Sequence, residues 1–190
     1  MIRMRRGPVI TVAAIALVAL VVPLLPLADP LRIDAAHDLA PPSLLHPLGQ
    51  DEYGRDVLSR LLWSTRTSVA IAVASTSLAC LLGTALGLFG GLIRPMRRLV
   101  AVHSMDIVLR FPPLPVALLI VMLFGPGVGT LVPMLAVLYA PRFVRAAPSP
   151  VMLHSILTNL AGPVLVRFSL TMASAMVLES GLSFLGLGVM

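Results

Sequence analysis

A chain of 190 residues with 58% apolar residues, 12% charged residues and a mean hydropathy of +0.99 has too little polar surface to cover a water-soluble globule, so lipid is the solvent for most of it. All fourteen cations are Arg, and most cluster between apolar runs, with no basic patch interleaved with aromatics; the net charge of +6 therefore speaks for membrane orientation and against nucleic-acid binding. Cys80 is the single cysteine, lies inside an apolar run and cannot close an intrachain disulfide.

A spanning helix takes about 20 mostly apolar residues. On that length the chain divides into a tail and first helix at 1–28, an outer loop at 29–67 and a membrane core at 68–190. The first span, residues 9–27, follows Arg3, Arg5 and Arg6, a charged start that also fits a signal sequence ending near Ala28. The outer loop ends in an amphipathic stretch, with Val57, Leu58, Leu61 and Leu62 at helical spacing opposite Asp56 and Arg60; it predicts an interfacial helix with Trp63 at headgroup depth. Asp56 and Arg60 are four apart, a spacing that allows a pair across one turn, beside the plainer reading of a solvated helix face. His46 and Asp51 are two scattered ligands without a third and do not make a metal site.

The core contains four expected helices, at about 68–89, 107–124, 128–144 and 159–178. Gly83, Gly87 and Gly91 recur every four residues in the first of them and predict close helix packing. Pro112, Pro113 and Pro115 predict a kink in the second. The run Gly125-Pro126-Gly127-Val128-Gly129 breaks a long charge-free interval into two helices, because glycine frees the backbone and proline lacks an amide. Arg167 interrupts the last and must snorkel or pair. Asp106 is an expensive carboxylate beside a span, and Arg110, one turn on, is its expected partner. Five spans result. The arginines at 3, 5, 6, 94, 97, 98, 142 and 145 outnumber those at 32, 55, 60 and 66, which sets the N-terminus in the cytoplasm and Gly188 outside. The expected fold is an all-α, polytopic helical membrane protein.

The run His46-Pro47-Leu48-Gly49, then Asp51, then Gly54-Arg55-Asp56-Val57-Leu58-Ser59-Arg60 resembles the segment before the second span in the inner-membrane permeases of dipeptide, oligopeptide and nickel ABC importers. Further matches follow in order: the glycines of 83–91, Asp106-Ile107 before Phe111-Pro112, the Gly125 turn, Arg142-Phe143-Val144-Arg145, Ile156-Leu157 with Asn159, and the closing run from Glu179 to Gly188. The resemblance covers most of the chain. It implies six membrane helices, a multi-pass place in the plasma (inner) membrane of a prokaryote, and import of peptides or nickel through a path shared with a second permease subunit. It also implies two separate ATPase subunits, which use the ATP, and an extracytoplasmic substrate-binding protein. The chain itself is then no enzyme and binds no cofactor. Asp106, Arg110 and Glu179 become the polar candidates for structure or the translocation path.

Two departures stand out. The resembling permeases carry a cytoplasmic Glu-Ala-Ala helix that docks into the ATPase. Here no acidic residue occurs between Asp106 and Glu179, and Arg142, Arg145, Ala146 and Ala147 are the candidate remnant of that coupling element, next to the helix-opposing Pro148 and Pro150. The resembling proteins also continue past the position of Gly188 into a sixth span. Together these departures set a second expectation beside the permease: a degenerate, transport-inactive relative. Asp106 followed by Arg110 is itself unusual, since the resembling proteins carry a small or apolar residue at that second position.

Overall fold

A computed structural model describes residues 6–34, 36–92, 112–144 and 161–189. Among them the structure is helical, with one isolated bridge between Gln50 and Asp56. Five helices follow one another: α1 (Arg6–Val21), extended by a 3-10 turn at Val22–Leu24; α2 (Val57–Leu92); α3 (Pro113–Phe124); α4 (Val128–Val144); and α5 (Ala161–Phe184). The chain divides into two compact units, Met1–Val69 and Ala70–Met190.

In the first unit, the stretch between the 3-10 turn and α2 is irregular but rich in backbone hydrogen bonds. Asp34 N–H donates to the Tyr53 carbonyl (3.1 Å), Leu39 N–H to that of Asp51 (3.0 Å) and Gln50 N–H to that of Ala40 (3.0 Å). Gly54 takes a φ of +68°, and a Cβ there would lie 1.8 Å from the Asp34 carbonyl oxygen, so glycine is required where these two loop segments cross.

The separate interfacial helix expected before the second span is not separate. Residues 57–63 are the first two turns of α2, which runs unbroken for 36 residues. Nothing between Val57 and Cys80 other than helix-tolerant Ser, Thr and Arg interrupts the apolar sequence, and Thr65 and Thr67 return their hydroxyls to the carbonyls of Leu61 and Trp63 (2.8 and 3.2 Å) rather than breaking the ladder. At 1.5 Å per residue α2 is about 54 Å long, against a hydrocarbon thickness of about 30 Å, so part of it projects beyond the apolar layer.

In the second unit, Ile71, Ala72 and Ala79 of α2, Ala117 and Val121 of α3, Leu131 and Leu135 of α4, and Ala175, Leu178 and Leu182 of α5 form one buried cluster. Cys80 packs at its edge, with its thiol 3.9 Å from the Thr84 hydroxyl. Leu81, Val137, Leu165 and Val177 are exposed on the outer faces of the same helices, as a lipid solvent demands. The kink expected from Pro112, Pro113 and Pro115 is instead a helix start. Proline at the first turn forfeits an amide that has no helical partner anyway, so α3 begins at Pro113. It ends at Phe124, where Gly125 N–H donates to the Val121 carbonyl (2.8 Å); Gly125 and Gly127 then take φ of +83° and +142°, and α4 begins at once.

Among the described residues two helices are long and apolar enough to cross a membrane, at Val57–Gly87 and Val164–Phe184; Ala14–Leu24, Pro113–Phe124 and Val128–Val144 are shorter apolar helices. Length, composition and the outward apolar faces make this an all-helical membrane protein.

Candidate functional site

Among the described residues of the second unit, one polar cluster forms where the C-terminal end of α4 meets α5. Arg142, in the last turn of α4, stacks its guanidinium over the Tyr139 ring at 4.3 Å and donates through Nη1 to the Ser174 hydroxyl oxygen at 3.0 Å. Tyr139 donates its own hydroxyl to the Ser174 carbonyl at 3.1 Å, and the Ser174 hydroxyl donates to the Leu170 carbonyl at 2.9 Å. Ser174 thus serves as a hub on α5 for two α4 side chains, and a serine free to bond at i−4 is the residue type that can do it without leaving the helix. Neither Tyr139 nor Ser174 stood out in the sequence, since a single Tyr or Ser in an apolar helix carries no periodic signal. Beside the hub, Arg142, Val166, Arg167, Leu170 and Thr171 line an open groove of about 580 Å³.

Further along α5, Glu179 is 3% exposed and accepts the Ser183 hydroxyl at 2.9 Å. A carboxylate this deep in an apolar helix is expensive unless bonded, and the i+4 serine supplies one bond from the same helix. Gly83 of α2 is buried against α4: a Cβ there would stand 2.3 Å from the Ala140 carbonyl oxygen and 2.7 Å from Phe143 Cβ. Gly87 lies one turn on in α2 and is half-buried. Gly91 belongs to the last turn of α2. Asp106, Arg110, Arg145, Ala146 and Ala147 lie outside the described residues.

The first unit contains a second polar centre. Asp51 Oδ1 accepts the N–H groups of Tyr53 (2.9 Å) and Arg55 (3.0 Å), while Oδ2 accepts Arg55 Nε (2.9 Å) and Arg60 Nη1. Burial works to raise its pKa, but the Arg55 and Tyr53 amides and the Arg55 guanidinium outweigh it and hold the carboxyl at about 2. The pairing that the spacing allows between Asp56 and Arg60 does not form, because each has a better partner: Arg60 reaches back to Asp51, and Asp56 caps α2. Asp56 Oδ2 accepts Ser59 N–H at 2.8 Å and Oδ1 lies 3.1 Å from His46 Nδ1. Burial again opposes ionisation, and the bonds from Ser59 and His46 override it, so the Asp56 carboxyl titrates below its usual range. An Asp placed directly before an apolar helical run is a capping signal, and it was open to view in Asp56-Val57-Leu58-Ser59. Arg55 stacks on Tyr53 at 4.5 Å and Arg66 on Trp63 at 5.4 Å. Among the described residues no three His, Cys, Asp or Glu side chains converge as a metal site would require.

A bundle of apolar helices with few polar side chains is the pattern of an integral membrane protein. The comparisons narrow the class. The chain is 32% identical over 179 residues to the di/tripeptide transport system permease of Pseudomonas aeruginosa strain UCBPP-PA14, an alignment covering 80% of this chain and 59% of that protein. It is 27% identical over 201 residues to the dipeptide transport system permease of Alkalihalophilus pseudofirmus, covering 94% and 66%, and 27% identical over 213 residues to the probable D,D-dipeptide transport system permease of Escherichia coli K12, covering 97% and 72%. No family model matches the chain. Over most of its length the chain is similar to peptide transport system permeases. The chain spans about three fifths to seven tenths of the length of these relatives.

Proposed function

We propose that this chain is the membrane-spanning permease subunit of an ATP-driven importer of short peptides. The observation that carries the reading is its alignment, along four fifths or more of its length, with permeases named for dipeptide and di/tripeptide transport. In this reading the N-terminus is cytoplasmic, five apolar helices cross the plasma membrane of a prokaryote, and a second permease subunit completes the path. ATP is bound and hydrolysed on two separate ATPase subunits, and this chain binds no cofactor. A substrate-binding protein delivers cargo to the face that bears residues 29–56, where the Asp51 and Asp56 networks stiffen the loop into a docking surface.

The helix junctions supply the moving parts. Closure of the ATPases pushes on the cytoplasmic segment that begins at Arg142, and the Arg142–Ser174 and Tyr139–Ser174 bonds carry that displacement from α4 to α5. Gly83 lets α2 follow α4 as a close-packed pair. Glu179 and Asp106 are the polar groups proposed to face the path or brace its helices.

One sequence feature favours a second reading, a transport-inactive relative: no acid occurs between Asp106 and Glu179, where the resembling permeases place the Glu of the docking helix. Uptake of a labelled tripeptide separates the two. Cells stripped of their own peptide permeases receive this chain together with its neighbouring transport subunits. Energy-dependent uptake that disappears when this chain alone is deleted supports the importer; uptake equal to the empty host supports the inactive relative.

A further inference from the structure

The groove between α4 and α5 carries a charge problem that the described residues do not solve. Arg142 and Arg167 both line it, and among the described residues neither guanidinium meets a carboxylate. The nearest acid along α5 is Glu179, twelve residues or about 18 Å from Arg167. Two like charges on one groove in a lipid-embedded bundle are unfavourable unless an anion neutralises them. Arg142 sits in the last turn of α4 and Arg167 is the seventh residue of α5, about 9 Å from its start, so both lie within snorkelling reach of one membrane interface. Val166 and Leu170, 62% and 64% exposed, supply the apolar part of the lining. Thr171, at the floor, is fully buried, and its hydroxyl has no hydrogen-bond partner among the described residues. A threonine in a helix has two accessible χ1 rotamers, one of which can turn that hydroxyl toward an incoming oxygen.

We propose that this groove is a binding site for the phosphate headgroup of an anionic phospholipid, with Arg167 and Arg142 clasping the phosphate and an acyl chain lying along Val166 and Leu170. Guanidinium groups suit phosphate because their planar donors pair with two oxygens at once, and basic pockets between membrane helices are a recurrent headgroup site. Arg142 keeps free donors for this, since Ser174 engages only Nη1. The site rests on the membrane setting of the chain and is independent of whether it transports peptide.

Native mass spectrometry of the detergent-solubilised full chain, titrated with phosphatidylglycerol or phosphatidylcholine, is the test. Phosphatidylglycerol should bind preferentially, Arg167→Gln should weaken it about fivefold, as expected for one arginine at an anionic headgroup, and Arg167→Lys should restore most of the loss. A circular dichroism spectrum unchanged in Arg167→Gln shows that folding is not the cause. Should Arg167→Gln fail to fold, Leu170→Ser tests the same groove through the chain contact and should also lower retention. Equal binding of the two lipids, or phosphatidylglycerol binding unchanged in the folded Arg167→Gln variant, overturns the proposal. Displacement of the lipid by inorganic phosphate at millimolar concentration would instead make free phosphate the ligand and overturn the lipid assignment.

Discussion

His46 and Asp56, ten residues apart, meet at the start of α2: His46 Nδ1 lies 3.1 Å from one Asp56 oxygen while the other accepts Ser59 N–H at 2.8 Å. The carboxylate therefore fastens the loop to the helix and caps the helix in one group. Asp56→Ala is expected to lower stability by about 1 kcal/mol through loss of the cap, and Asp56→Asn to recover part of it. Hydrogen exchange reads this locally: the amides of Ser59 and Arg60 should exchange several-fold faster in Asp56→Ala. Unchanged protection there would mean that packing alone holds the first turn.

Asp51 makes a distinct prediction about acid. Its carboxyl titrates at about 2 against an ordinary 3.8, and Asp56 is shifted the same way. A depressed native pKa stabilises the fold above the unfolded value and loses that contribution as pH falls through the native one. The loop at residues 29–56 should thus be insensitive to pH from about 5 to 8 and loosen between about pH 4 and 2. Pepsin, active in that range, should cut the loop progressively faster across it. Asp51→Asn should lower stability by about 2 kcal/mol at neutral pH, as expected on losing charge-assisted hydrogen bonds, and should flatten the acid transition; a transition of the same size in that variant would assign it to other groups.

At Gly83 the backbones of α2 and α4 approach closely. A methyl group 2.3 Å from the Ala140 carbonyl oxygen cannot be accommodated by a side-chain rotation, since the obstacle is backbone. Gly83→Ala should therefore reduce thermal stability in detergent by about 2 kcal/mol or more. Gly129→Ala is the control: nothing lies within 4 Å of the added Cβ, and alanine in a helix should be neutral to slightly stabilising.

The Ser174 hub predicts coupling rather than a single large effect. Tyr139→Phe should cost about 1 kcal/mol by removing one hydrogen bond. A double-mutant cycle of Arg142→Gln with Ser174→Ala should give a coupling of about 1 kcal/mol, because both substitutions remove the same contact. Additive effects would show that the 3.0 Å contact contributes nothing measurable.

The helical class and the membrane setting were legible from apolar run length alone, and the helix break at residues 125–127 from its glycines and proline, because these depend on local backbone chemistry. Partner choice was not. The Asp56–Arg60 spacing fits an ion pair equally well in any helix, and only the fold of the preceding loop, which delivers His46 to Asp56 and Asp51 to Arg60, decides otherwise. The same holds for the prolines at 112, 113 and 115: a proline either kinks a helix or starts one, and residue type alone does not choose between the two. Ser174 and Thr171 were invisible because their significance comes from what α4 brings beside them.

The most direct test of the permease reading is the company this chain keeps. The tagged full chain would be purified in mild detergent from cells expressing it with its neighbouring transport subunits, and the recovered proteins identified by mass spectrometry. The account predicts stoichiometric recovery of an ATP-binding subunit together with a second permease subunit. Recovery of a folded chain with lipid but neither partner would contradict it.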